Sequence, residues 1–177
     1  MAKVNWIADA AHSEVGFRVK HLMITNVKGN FANYTANVTT EENDFGKAEI
    51  NFSADTASIT TGNEQRDGHL RSGDFFDSEN HPHMTFRSTS VSGFDGSSDF
   101  QVHGDLTIRG QAHPVTLDVE FGGVAKDPWG NTKAGFTISG KINRKHWGLT
   151  WNAPTEAGGL LVSEDVKLHI DLQLLRQ

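Results

Sequence analysis

Alternation of apolar and polar side chains, recurring along nearly the whole chain, is what most restricts the fold this sequence can adopt. In 100–108, Phe100, Val102, Gly104, Leu106 and Ile108 alternate with Gln101, His103, Asp105 and Thr107. In 115–121, Val115, Leu117, Val119 and Phe121 do the same, and in 166–174 so do Val166, Leu168, Ile170, Leu172 and Leu174. Weaker versions occupy 15–19, 27–38, 48–54, 84–94 and 134–142. A two-residue period sends successive side chains to opposite faces of an extended chain, so each stretch reads as a half-buried strand. The turn-rich pieces "SGFDGSS" (92–98), "RGQAHP" (109–114) and "KDPWGN" (126–131) separate them. About eight short antiparallel strands, each with one apolar face, form an all-β protein that must cover that face. A sandwich and a closed barrel both do so, and the barrel also removes exposed edges.

One stretch breaks the pattern. "RDGHLRSGDFF" (66–76) carries alternating charges and ends in two phenylalanines. Just upstream, Thr61 and Glu64 have capping-box spacing, which predicts a short helix over about 63–72, stopped by Gly73. Gly68 inside it costs roughly 1 kcal/mol relative to alanine. Leu70, Phe75 and Phe76 are therefore expected to pin the helix to the rest of the fold. This is a helical insert near 62–73, between the third and fourth strands, lying against a sheet or across a barrel end.

Composition removes several function classes. The 177 residues, 36% of them hydrophobic, suit one domain spanning 1–177. There is no cysteine, so disulfides, thiol nucleophiles and cysteine-based zinc sites are excluded. A net charge of −6 opposes binding to a phosphate backbone, and no nucleic-acid partner is expected. The basic clusters Arg18/Lys20/His21 and Arg144/Lys145/His146 read as solvated strand edges or turns. No apolar run approaches the ~20 residues of a membrane helix. The opening "MAKVNWIADAAHS" has no signal-peptide core, which points to the cytoplasm, although a mature periplasmic form whose leader had been removed would read the same.

Catalytic motifs are absent: there is no G-x-S-x-G, H-E-x-x-H or G-x-G-x-x-G. "GFTISGKI" (135–142) places Ile142 where a phosphate loop needs Ser or Thr. His81 and His83, with His69, are either a metal-ligand set or plain loop histidines. Trp129, Trp147 and Trp151 stand in or near late turns, where they could line a mouth, touch a membrane or cap the core. The strand phenylalanines are compatible with a packed core or with a ligand cavity, because an eight-stranded barrel sits between those two cases.

The segments "HSEVGFRVKHLMITNVKGNF" (12–31), "SITTGNEQRDGHLRSGDFF" (58–76), "HPHMTFRSTSV" (81–91), "GDLTIRGQAHPVTLDVEFGG" (104–123), "GFTISGKINRKHWGL" (135–149) and "VSEDVKLHI" (162–170) closely resemble the YceI-like family of lipocalin-like, polyisoprenoid-binding proteins. The resemblance implies an extended eight-stranded antiparallel barrel around an apolar tunnel. The tunnel would hold a polyisoprenoid with a quinone, phenol or phosphate head. It implies lipid contacts from Phe17, Val19, Phe31, Phe52, Leu70, Phe75, Phe76, Phe86, Leu106, Ile108, Phe121, Phe136 and Ile138. Arg66, His69 and Arg71 become head-group candidates, against the alternative that Arg66 and Asp67 merely anchor the helix. The protein is then a carrier, store or sequestering agent and not an enzyme, with the lipid as its ligand and no other cofactor. Transient membrane contact and a homodimer are compatible with it. The competing readings are a metal-dependent enzyme acting on a prenylated substrate and a filled barrel serving as an interaction or stress protein.

Overall fold

The computed structural model describes residues 2–153 and 161–177. Its strands are β1 (Lys3–Ala8), β2 (Glu14–His21), β3 (Thr25–Phe31), β4 (Tyr34–Glu41), β5 (Asp44–Asp55), β6 (Ile59–Thr60), β7 (His83–Ser92), β8 (Phe100–Ile108), β9 (Gln111–Lys126), β10 (Thr132–Asn143) and β11 (Val162–Arg176). Every pairing is antiparallel, and the order β1-β4-β5-β7-β8-β9-β10-β11 closes on itself through β1–β11. β2, β3 and β6 do not add to the ring. They extend β1, β4 and β5, respectively, past local breaks. The result is eight staves, three of them broken: at the 3-10 turn Ala10–His12, at Ala32 and Asn33, and at the 3-10 turn Thr56–Ser58.

Each of the eight alternating segments falls on a different stave. The sequence reading took 27–38 as continuous where the structure has a break, and it missed β1 altogether. There Val4 and Trp6 point inward and Lys3 and Asn5 outward. The turn expected over 109–114 shrinks to Arg109 and Gly110, with φ of 52° and 73°. Positive φ at both central residues is the hairpin turn that matches strand twist, so β9 can begin at once.

The helix, α1, spans Glu64–Arg71. Its cap is not Thr61. Asn63, in an extended conformation, accepts from the Arg66 amide at 3.0 Å. Thr61 instead donates its amide (2.8 Å) and hydroxyl (2.5 Å) to the buried Asp67 carboxylate. The helix ends at Arg71 with Ser72 as its C-cap, one residue short of Gly73.

The two ends of the barrel differ. The β4–β5, β7–β8 and β9–β10 hairpins share one end, where Trp6, Phe45, Phe94, Phe100, Phe121 and Phe136 interlock with ring centroids 5.0–6.3 Å apart. The Trp6 indole donates to Thr40 at 2.9 Å, so its polar edge is satisfied in the core. The β2–β3 and β8–β9 hairpins and α1 share the other end. Arg109, in the β8–β9 turn, donates to the carbonyls of Gly73 (2.9 Å) and Phe75 (2.8 Å), pinning the segment after α1 to the wall.

Candidate ligand-binding cavity

Alternation along closed staves points one set of side chains inward, and here they leave space. A cavity of about 650 Å³ runs inside the barrel, lined almost wholly by apolar side chains. Phe45 forms part of its floor at the aromatic end. Two glycines make room for rings on the wall. A Cβ on Gly29 would run into the Phe17 ring, and one on Gly104 into the Phe86 ring. Both rings thus lie over bare backbone.

Phe17, Val19, Phe31, Phe52, Leu70, Phe75, Phe76, Phe86, Leu106, Ile108, Phe136 and Ile138 all border this cavity. Phe121 does not, although it alternates as cleanly as the others. It pairs with Phe136 across β9 and β10 beside a register shift, and its ring wedges among Phe45 (5.9 Å), Phe94 (5.6 Å) and Phe136 (5.4 Å) beneath the floor. Phe45, Met84, Val102 and Leu149 also line the space and were not anticipated, and Trp151, one of the three tryptophans considered for a mouth, lines it too. Alternation would have found Val102. Leu149 and Trp151 lie outside any strand, where periodicity gives no signal.

The mouth lies between the start of α1 and the end of β2, since the exposed residues Lys20, Asn63, Gln65 and Arg66 border the cavity there. Its ionisable lining is of one sign. Lys20, His21, Arg66, His69 and Arg144 contribute, and no Asp or Glu does among the described residues.

Arg66 is held on the backbone side of this site, donating from Nε to the Thr61 hydroxyl (2.7 Å) and from Nη2 to the Thr61 carbonyl (2.9 Å). With Asp67 on the same threonine, these two residues do anchor the helix; Arg66 also borders the mouth. His69 shares a 2.9 Å hydrogen bond between Nε2 and Asp74, and its ring meets Trp151 and Phe75 edge-on at 4.6 and 5.1 Å. Arg71 is not at the cavity. It turns to Glu64 on the outer side of the helix, at 3.1 Å.

Arg144 is the residue that sequence reasoning misplaced. It was taken for part of a solvated turn, yet it is buried. Its Nε donates to the Ser163 carbonyl (2.9 Å), and its Nη1 to those of Leu149 (2.5 Å) and Trp151 (2.9 Å). It also lies 5.8 Å above the Phe75 ring. Desolvation holds its pKa below the ordinary arginine value, and no carboxylate among the described residues forms an ion pair with it. Neutral carbonyls disperse this charge without cancelling it, and Glu164 acts on it only through its field. Burial of a cation is a tertiary property with no local signature.

Trp147 caps the core as a buried indole, donating to the Leu106 carbonyl at 2.8 Å, while Trp151 lines the mouth. Trp129 is exposed in the β9–β10 turn, at the opposite end from the mouth. The histidines do not assemble. His69 is with Asp74 and His83 with Asp55 (3.1 Å), and no three metal-ligating side chains gather among the described residues. The only hydroxyl in the described lining is that of Thr61, already engaged by Asp67 and Arg66. Among the described residues no helix is long and apolar enough to cross a membrane.

Chemically the site is a container: a deep apolar space, closed by aromatic rings and opening past cations. Known proteins share its outline. The profile of the YceI-like domain matches residues 6–174. A UPF0312 protein of Staphylococcus epidermidis is 40% identical over 170 residues, covering 96% of this chain and 95% of the relative. The crystal structure of the Campylobacter jejuni YceI protein is similar with a TM-score of 0.76 and 35% identity, over 96% of each chain. A polyisoprenoid-binding domain from Saccharophagus degradans, implicated in plant cell wall breakdown, shares the fold with a TM-score of 0.71 at 16% identity, over 97% of this chain and 98% of that one.

Proposed function

The chain belongs to the YceI-like family, and from that premise we propose that it binds one long-chain polyisoprenoid, tail down the barrel and polar head at the mouth. The observation that carries this reading is the pairing of a long apolar cavity with a mouth whose charged groups, among the described residues, are all cationic. The shared fold with a polyisoprenoid-binding domain supports the same ligand class. Heads rich in acceptor oxygens, such as a quinone, a phenol or a phosphate, suit Arg144 and Arg66. A cavity of this size argues against a filled barrel, and the dispersed histidines argue against a metal enzyme.

Tail burial alone does not explain selectivity. At about 0.8 kcal/mol per CH₂, a five-carbon unit gains roughly 4 kcal/mol on leaving water. An eight-unit tail would sum to about 30 kcal/mol, beyond the roughly 18–21 kcal/mol ceiling of non-covalent binding. Such a lipid also rests in a bilayer, where its tail is already dry. Discrimination must come from cavity depth and head-group contacts. The protein then carries, stores or sequesters a lipid without transforming it.

Mass spectrometry of an organic extract of the protein, purified from bacteria without detergent, tests this. A stoichiometric species whose mass series steps by isoprene units is the expected result. An extract that stays empty after incubation with prenyl quinones and prenyl phosphates would overturn the reading.

A further inference from the structure

Two features of the outer wall near the mouth have no part in forming the cavity. The first is the tip of the β2–β3 hairpin. Leu22, Met23 and Ile24 are consecutive and 41%, 55% and 78% exposed, respectively. The other large exposed hydrophobics among the described residues, Ile7, Val124 and Trp129, are separate from it and from one another in the chain. Leu22 and Met23 have φ of 54° and 61°, a region that costs energy for any side-chain-bearing residue and that hairpins usually fill with Gly, Asn or Asp. The tip is nonetheless defined: the Leu22 amide donates to Leu161 (2.8 Å) and the Ile24 amide to His21 (3.2 Å). Water is a poor solvent for this arrangement. An apolar medium is a good one.

The second feature is written in the register. Lys28 of β3 lies opposite Arg18 of β2, Arg18 opposite Lys167 of β11, and Lys167 opposite Lys141 of β10. Their neighbours Val27, Phe17, Val19, Val166, Leu168 and Ile142 face the cavity, so all four cations stand on the outside, and all are exposed. Across four strands the row is about 14 Å wide. Like charges placed directly opposite one another destabilise a sheet. Lys20 and Lys145 continue the patch toward the mouth. Acids answer only part of it: Asp165 reaches Lys141 (3.9 Å) and Glu164 reaches Lys145 (3.2 Å). Arg18, Lys20, Lys28 and Lys167 form no ion pair among the described residues. This concentration of positive charge occurs in a chain whose net charge is −6.

We propose that this wall docks on an anionic lipid bilayer. The Leu22–Met23–Ile24 tip enters the boundary between head groups and acyl chains, and the Lys28–Arg18–Lys167–Lys141 row lies against lipid phosphates. Leu22 follows Arg18 by four positions, at most about 14 Å along the strand, so tip and row can meet one surface. Lys20 and His21, on the same hairpin, border the cavity. Docking therefore brings the mouth to the membrane, and that consequence rests on the lipid-binding reading above. A nucleic acid would use the row and not the tip. A second copy of the chain would use the tip with no need of anionic lipid.

The test is co-sedimentation of the full chain with vesicles of phosphatidylcholine alone and of phosphatidylcholine mixed with phosphatidylglycerol. One variant is Leu22→Ser/Met23→Ser/Ile24→Ser, and another is Arg18→Gln/Lys28→Gln/Lys167→Gln. The expected result is binding that needs phosphatidylglycerol and fades at high salt, weakened about a hundredfold in the row variant and about tenfold in the tip variant. Prenol delivered from ethanol should fill the cavity of all three proteins equally. Full vesicle binding by the tip variant would overturn the proposal. So would a tip variant whose only change is weaker self-association in sedimentation velocity, or a row variant whose only loss is affinity for duplex DNA. If no protein takes up prenol while vesicle binding behaves as expected, docking stands and the ligand reading falls.

Discussion

The two ends of this barrel solve opposite problems with the same staves. At one end six aromatic rings pack edge to face or tilted into a floor, and the one polar edge among them, the Trp6 indole, is satisfied by Thr40. At the other, a buried guanidinium, a helix clamped to Thr61 and a half-buried tryptophan surround an opening. The first arrangement gains its energy by excluding everything else. The second keeps a buried charge with no ion-pair partner among the described residues next to apolar surface, an unfavourable combination until something with an acceptor head and an apolar body fills it. The difference teaches that stability and function have been placed at opposite ends of one sheet.

That separation can be broken by mutation. The largest effect is expected at the closed end. Phe45→Ala removes the ring shared by Trp6, Phe94, Phe121 and Phe136 and should cost about 3–5 kcal/mol in urea denaturation; because the ring also floors the cavity, it should change prenol and prenyl-phosphate binding to the same extent. Arg144→Met should cost less, about 2–3 kcal/mol, because three or four carbonyls lose a charged donor. Unlike Phe45→Ala, it should weaken binding of a prenyl phosphate more than that of the matching prenol. Equal losses for the two ligands would make Arg144 a structural residue like Phe45 and erase the distinction between the ends.

The smallest effect is expected at Asp9, beside the break between β1 and β2. Its hydrogen bonds to Lys133 and then to His12, both 2.9 Å, hold its carboxyl below the usual aspartate range. Because the folded state prefers the ionised form, this contribution is present above about pH 4, the ordinary aspartate value. It is lost as pH falls through the lowered value. Asp9→Asn should therefore cost no more than about 1 kcal/mol at neutral pH and flatten the acid limb of the stability profile. An unchanged acid limb would show that the Lys133 pair contributes nothing.

Much of the wall was legible because burial in a closed sheet leaves a period of two in the sequence. The segment 100–108 was read to the residue, and β11 was placed as a strand despite its leucine content. What escaped was non-periodic. The break at Ala32 and Asn33 is two residues long, too short to interrupt the alternation of 27–38 visibly, and those at Ala10–His12 and Thr56–Ser58 lie outside the alternating segments. Asn63 displaced Thr61 as cap because Asp67, six residues after the threonine, claims it. Phe121 alternates correctly but stands at the wrong height, and height within a barrel is set by stagger between staves, which a single strand does not record. Arg144 looked like a surface charge because only its partners, up to nineteen residues away, make it a buried one.

The three breaks have a mechanical consequence. Val15 pairs with Phe31 just above them and Ile7 with Asn37 just below, while Phe31 pairs with Ile59 and Tyr34 with Ala54 on the next seam. They therefore lie side by side, at one level, on three adjacent staves. There the hoop of ladder hydrogen bonds gives way to scattered links, such as Ala32 to Ser58 and Asp55 to Asn33. A cylinder creased on one flank has a direction of least bending stiffness. Five unbroken staves make a rigid half-shell, and the creased panel is the compliant side along which the rim can flex while the floor keeps its shape.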